Sequence, residues 1–196
     1  MFQTTSARRR WGVVSLLALT AALGFSPSTS IAERTLFFEE TAEAFWAVPH
    51  ECADGSTVQA TLLVRSTRDF DAPDTEDTDP TARVQFLAVC PDGTSFSWAA
   101  AAAPATITST EDLKSVTAVG TGTARDNLGG IHEISFDVAW TGVGPLETTV
   151  NSSGSKRKQR EATATGQVTF DGNVLVDGEA NHPTRPAPFI RVDTEK

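Results

Sequence analysis

Tyrosine is absent from this chain, methionine occurs only as the first residue, and cysteine occurs twice. No long apolar run follows the one at the N-terminus, so no later segment is expected to span a bilayer as a helix, which takes roughly 20 apolar residues. No cysteine lies just after that N-terminal run, which argues against a lipid-modified terminus. Positive charge is scarce too: 16 Lys+Arg face 25 Asp+Glu. An acidic surface repels phosphate backbones and anionic headgroups, so neither nucleic acid nor acidic lipid is an expected partner. Sustained helical periodicity is also missing.

Catalytic signatures are lacking in the same way. No G-x-S-x-G elbow is present. Gly120-Thr-Gly122 lacks the third glycine of a dinucleotide fingerprint and sits in a strand-like segment. His50-Glu51 and His132-Glu133 begin like a zinc-protease signature, but no second histidine follows at i+4. The third histidine, His182, has no partner at ligand spacing either. No catalytic residue is assigned.

What is present begins with Arg8, Arg9 and Arg10, then an uncharged apolar run from Trp11 to Phe25, then a Ser/Pro/Thr stretch ending in Ser30-Ile31-Ala32. These are the three parts of a secretory signal. The run is too short for a membrane anchor and is interrupted by Ser15, Thr20 and Gly24. Residues 1–32 are therefore expected to be cleaved, leaving a periplasmic or extracellular protein with no stable membrane insertion. Losing three arginines and no acid turns the formal charge of −9 into −12.

Outside the cytosol the two cysteines are expected to pair, Cys52 with Cys90. Each stands two residues before Asp-Gly, in Cys52-Ala-Asp54-Gly55-Ser56 and Cys90-Pro-Asp92-Gly93-Thr94. The reading is two strand-entry turns at one end of the fold, stapled together.

The rest alternates with period two. Val58, Ala60, Leu62 and Val64 share one parity, and Ile134, Phe136, Val138 and Trp140 share another, opposite Glu133, Ser135 and Asp137. Val84 to Cys90 is apolar on both faces, as a central strand would be. A turn made by Asp92 and Gly93 would set Val89 opposite Phe96 and Leu87 opposite Trp98. Further hairpins are expected around 126–130 and at Asp171-Gly172. Helix is possible only around Thr41 to Ala47 and in the alanine run before Pro104, and the alanines are read as strand. The expected fold is all-β: an antiparallel sandwich, Ig-like or jelly-roll-like, of about eight strands with one disulfide. The single domain would span 33–180, with 181–196 an extended tail.

Candidate ligand sites lie in three places. The acidic loop from Asp69 to Pro80 carries Asp69, Asp71, Asp74, Glu76, Asp77 and Asp79, an oxygen-rich set of the type Ca²⁺ takes, without EF-hand spacing. A solvated acidic loop is the preferred reading, and no other cofactor is expected. Lys156, Arg157, Lys158 and Arg160 form a basic cluster that could dock an anionic glycan or pair with the acidic loop. Core packing is the default for Trp46, Trp98 and Trp140. Only Trp46 lacks an inward-facing context, so it is kept as a ligand-binding candidate.

Phe136-Asp-Val-Ala-Trp140-Thr-Gly-Val-Gly-Pro145-Leu146, followed by Arg160-Glu-Ala-Thr-Ala-Thr-Gly166-Gln-Val168, resembles a pairing found in small secreted β-rich bacterial proteins of uncharacterised function. The resemblance covers the C-terminal third. It implies export and a bacterial source, and no activity or site residues. The expected role is a secreted or envelope-associated binding module for an extracellular ligand, without enzymatic activity. The alternative is a polysaccharide hydrolase using a carboxylate pair.

Overall fold

The period-two pattern becomes nine antiparallel strands in a computed structural model that describes residues 36–72, 78–110, 112–152 and 154–195. They are β1 (Leu36–Glu51), β2 (Thr57–Ala72), β3 (Thr78–Val89), β4 (Ser95–Ser109), β5 (Ser115–Asp126), β6 (Ile131–Val150), β7 (Lys156–Phe170), β8 (Asn173–Glu179) and β9 (Phe189–Glu195). The disulfide joins Cys52 to Cys90 as expected. The expected signal, residues 1–32, lies outside the described residues.

Each strand pairs with the next from β1 round to β7. One half of β7 then pairs with β8 and the other half with β9, and β9 pairs with β1. One sheet closes into a ring where a two-sheet sandwich was expected. The reason lies in the last strand. Ile190 and Val192 turn inward while Arg191 and Asp193 turn out, so the segment read as a tail completes the wall. The domain therefore runs to Glu195.

The join is incomplete over half its length. β1 pairs with β9 only as far as Glu43. Beyond that, side chains span the seam between β1 and β8. Trp46 Nε1 donates to the Gly178 carbonyl at 3.2 Å, and the Ala47 amide donates to Asn181 Oδ1 at 3.4 Å. Next to it, His182 Nε2 bonds Thr61 Oγ1 at 2.9 Å. The excursion between β8 and β9 thus covers the seam.

A ring this small is just wide enough for side chains to fill, small beside large. Trp46, Trp98, Trp140, Phe86 and Phe136 all point in and are buried, set among inward alanines such as Ala44, Ala60 and Ala118. The alanine run is strand, as read. Ala101 and Ala102 together oppose Arg83, a bulge that moves the inward parity from Ala100 to Ala103. The stretch Thr41 to Ala47 is also strand, its even positions buried.

The β3–β4 hairpin pairs one residue differently from expectation. Val89 lies opposite Ser95 and Phe86 opposite Trp98. The turn uses five residues, with Cys90 N bonded to Thr94 O and Gly93 at φ +85°. Gly93 supplies the left-handed residue that such a turn requires. The one-residue shift puts Leu87 and Val89 outside. The loops expected at 69–80 and 151–160 are shorter than thought, because Asp69–Ala72 extends β2, Thr78–Pro80 begins β3 and Lys156–Arg160 begins β7.

Candidate functional site

The turns after β1, β3, β5 and β7 meet at one end of the ring, and three devices link them in series. The disulfide ties the β1–β2 turn to the β3–β4 turn. Asn127 ties β4 to the β5–β6 turn: its amide and its Nδ2 donate to the carbonyls of Ser97 and Ser95, and its Oδ1 accepts from the Ser97 amide. His132 ties the β5–β6 turn to the β7–β8 turn.

His132 is held between two carboxylates. Nδ1 lies 2.7 Å from Asp171 Oδ2, and Nε2 lies 3.0 Å from Asp126 Oδ2. The other carboxylate oxygens are occupied. Asp171 Oδ1 accepts the Glu133 amide at 2.9 Å, and Asp126 Oδ1 accepts the amides of Leu128 and Gly130. A neutral imidazole has one donor, and here two acceptors face the ring, so the geometry calls for the imidazolium. The bonds from Asp171, then Asp126, raise the histidine's pKa, and the same bonds lower the pKa of both aspartates. A Cβ on Gly130 would sit 2.6 Å from Asp126 Oδ2 and 2.9 Å from His132 Nε2, so a larger residue there would push on the bonded pair.

The ring of His132 stacks on Phe170 at 4.4 Å, Phe170 on Trp98 at 4.8 Å, and Trp98 on Phe86 at 5.6 Å. Phe86 and Phe96 then meet His50 on β1. This aromatic bar runs between two histidines across the stapled end. Asp126 and Asp171 lie on opposite edges of one imidazole, so they bridge turns and do not converge on a point a metal or scissile bond could occupy.

The basic cluster is on the wall near the other end. Arg157 bonds Asp193 on β9 at 2.6 Å, and Arg191 reaches the same carboxylate at 2.7 Å. Arg160 donates to the Gly144 carbonyl. Lys156 and Lys158 are exposed. A groove of about 520 Å³ is lined by Lys156 and Arg157 together with Glu39 and Asp193, so its charge is mixed. Within the described residues, Arg157 is the member of the cluster that pairs with β9, through Asp193.

Asp69 lies on β2 opposite Glu39 of β1, and burial followed by Glu39 raises its pKa. Asp71 and Asp79 belong to β2 and β3, while Asp74, Glu76 and Asp77 lie outside the described residues. Among the described residues no group of three His, Cys, Asp or Glu is placed to hold a metal ion. Trp46, the aromatic candidate, is buried in the ring with its indole nitrogen bonded across the seam.

A further surface was not legible beforehand. The outer wall of a ring is convex, yet over β4, β5 and β6 it carries a shallow depression of about 550 Å³, and over β6, β7 and β8 another of about 390 Å³. Asp137 and Gln167 line both, so they form one trough across the strands. Two inward-facing glycines underlie it. A Cβ on Gly120 would sit 2.3 Å from the Pro104 carbonyl oxygen, and one on Gly166 would sit 2.7 Å from the Asp137 carbonyl oxygen. Without side chains there, the backbones of neighbouring strands approach closely beneath the trough. The available signal was Gly120 and Gly166 at core-facing positions of strands.

Comparison with protein-family models, with curated proteins and with solved structures finds no match.

Proposed function

We propose that this is a secreted bacterial binding module without enzymatic activity, which takes an extracellular or envelope ligand on the outside of its ring. The observation that carries this reading is the division between a filled interior and a sculpted wall. Large inward side chains, three tryptophans among them, occupy the space where a carrier of this shape would hold a ligand. The concavity lies on the outer face instead. Outward residues such as Glu43, Arg65, Glu133 and Asp137 are charged, whereas a lipid-facing strand needs an apolar band. The disulfide suits an oxidising compartment. Asp126 and Asp171 at the stapled end are both committed to His132 and unsuited to work as an acid and base pair.

The test is a thermal-shift screen of the purified protein against envelope polysaccharides, lipids and Ca²⁺, with a parallel assay for released reducing ends. A ligand at 100 times its dissociation constant stabilises by ~2.7 kcal/mol. The expected result is a raised melting temperature with at least one polymer and no release of reducing ends. Turnover of any polymer, or silence across the screen, overturns the reading.

A further inference from the structure

We propose that the trough across the outer wall is a binding site for an uncharged linear oligosaccharide, lying across β5, β6 and β7 over Asp137 and Gln167. This rests on the reading of the protein as a binding module and names the ligand class.

Three observations carry it. First, the trough is lined by glycines in two strands, Gly120 and Gly166, where a Cβ would strike the backbone of the neighbouring strand. Second, its chemistry suits hydroxyl groups. Asp137 offers acceptors, Gln167 offers a donor and an acceptor on one planar group, and Thr106, Thr121 and Ser135 add hydroxyls. Vicinal diols are satisfied by such carboxylate and amide groups, which receive or give two bonds at once. Exposed Val119 supplies an apolar patch for a sugar's C–H face. Third, the charge is selective. The residues lining both depressions include Asp137 and Asp177 and no lysine or arginine, so a uronate, sulfate or phosphate is repelled.

Spacing and rigidity agree with this. Neighbouring strands lie ~4.8 Å apart, close to the ~5 Å repeat of a linear hexose polymer, so a chain laid across the strands meets about one strand per sugar. The β5–β6 and β6–β7 ladders run unbroken beneath the trough. Ser135 and Thr169 share a hydroxyl bond of 2.6 Å, and Gln167 Nε2 reaches Asp177 Oδ2 at 3.4 Å. A wall already ordered gives up little entropy on binding.

The experiment is an amide ¹H–¹⁵N titration of the purified protein with cellohexaose, maltohexaose and, as an anionic control, hexagalacturonate. The expected result is shifts centred on Thr121, Asp137 and Gln167 with a neutral hexamer and none with the anionic one. Asp137→Ala and Gln167→Ala each weaken binding by about tenfold or more without changing the melting temperature. Silence from both neutral hexamers, equal binding of hexagalacturonate, or affinity unchanged in both variants overturns the trough. A ligand from the wider screen that shifts residues elsewhere removes this site and leaves the binding module standing. Turnover removes the module itself.

Discussion

His132 and Asp171 are bonded at 2.7 Å across the gap between the β6 entry and the β7–β8 turn. The bond is charge-assisted, because Asp126 on the other side of the ring demands the second proton. The folded pKa of His132 is raised. Its contribution to stability is thus complete below about pH 6.5, the unfolded value, and is lost as pH rises through the folded value. Asp126 and Asp171 have lowered values, so theirs is present above the unfolded carboxylate range and lost as pH falls through the folded values. The melting temperature should therefore be highest in mildly acidic solution and decline on both sides. His132→Gln should flatten the alkaline side. A pH series of thermal melts on both proteins checks this, and an unchanged alkaline decline would contradict it.

His182 should behave in the opposite sense. Its Nδ1 accepts the Thr184 amide at 3.3 Å, so the neutral ring donates from Nε2 to Thr61. Burial, then the charge of Arg185, lowers its pKa. Its contribution is present above about pH 6.5 and is lost as pH falls through the folded value. Imidazole NMR titration should place His132 above and His182 below the usual histidine value. The reverse order would refute both assignments.

Replacing both cysteines by serine should lower stability by about 4 kcal/mol, from the loop-closure entropy of a 38-residue separation. Chemical denaturation reads this directly. A loss below about 1 kcal/mol would mean that the Asn127 and His132 links alone hold the rim.

Trp46→Phe keeps most of the buried ring and deletes its nitrogen. The Gly178 carbonyl then loses its donor across the seam, at a cost of about 1–3 kcal/mol. Amide exchange should quicken in the second half of β1 and in β8, and not in β3. Uniform quickening would show that the seam does not open by itself.

Gly120→Ala forces a methyl group against the Pro104 carbonyl and the tip of Phe136. Overpacking of this type costs about 1–3 kcal/mol. Urea unfolding should show a lower midpoint with an unchanged slope, and a neutral result would mean that the wall yields outward at that point.

Much of the fold was readable because its signals are local. Ile134, Phe136, Val138 and Trp140 announce β6 by alternation alone, and the two cysteines announce their bond through matching turns. What escaped depends on relations between distant segments. Pro183, Pro186 and Pro188 disguised the approach to β9, although Ile190 and Val192 alternate with Arg191 and Asp193. The β3–β4 register turned on whether Gly93 sits in a two-residue or a five-residue turn, and a one-residue difference exchanges the faces. Sandwich and ring share the same alternation, because the pattern records which side is buried and not whether the last strand meets the first. His132 looked isolated since its partners, Asp126 and Asp171, reach it only after two hairpins have folded. The trough was hidden for a related reason: a core-facing glycine reads as weakness in a strand until the neighbouring backbone is seen against it.

The pairing of β9 with β1 joins the end of the described chain to its beginning. During synthesis the first eight strands must wait, as an open ribbon with two bare edges, for the last seven strand residues to emerge. Closure therefore waits on β9, which supplies the partner for both β1 and β7. Contacts so distant in sequence also slow the search for the native state. Until β9 arrives, one edge of β1 stays open to pairing with other strands.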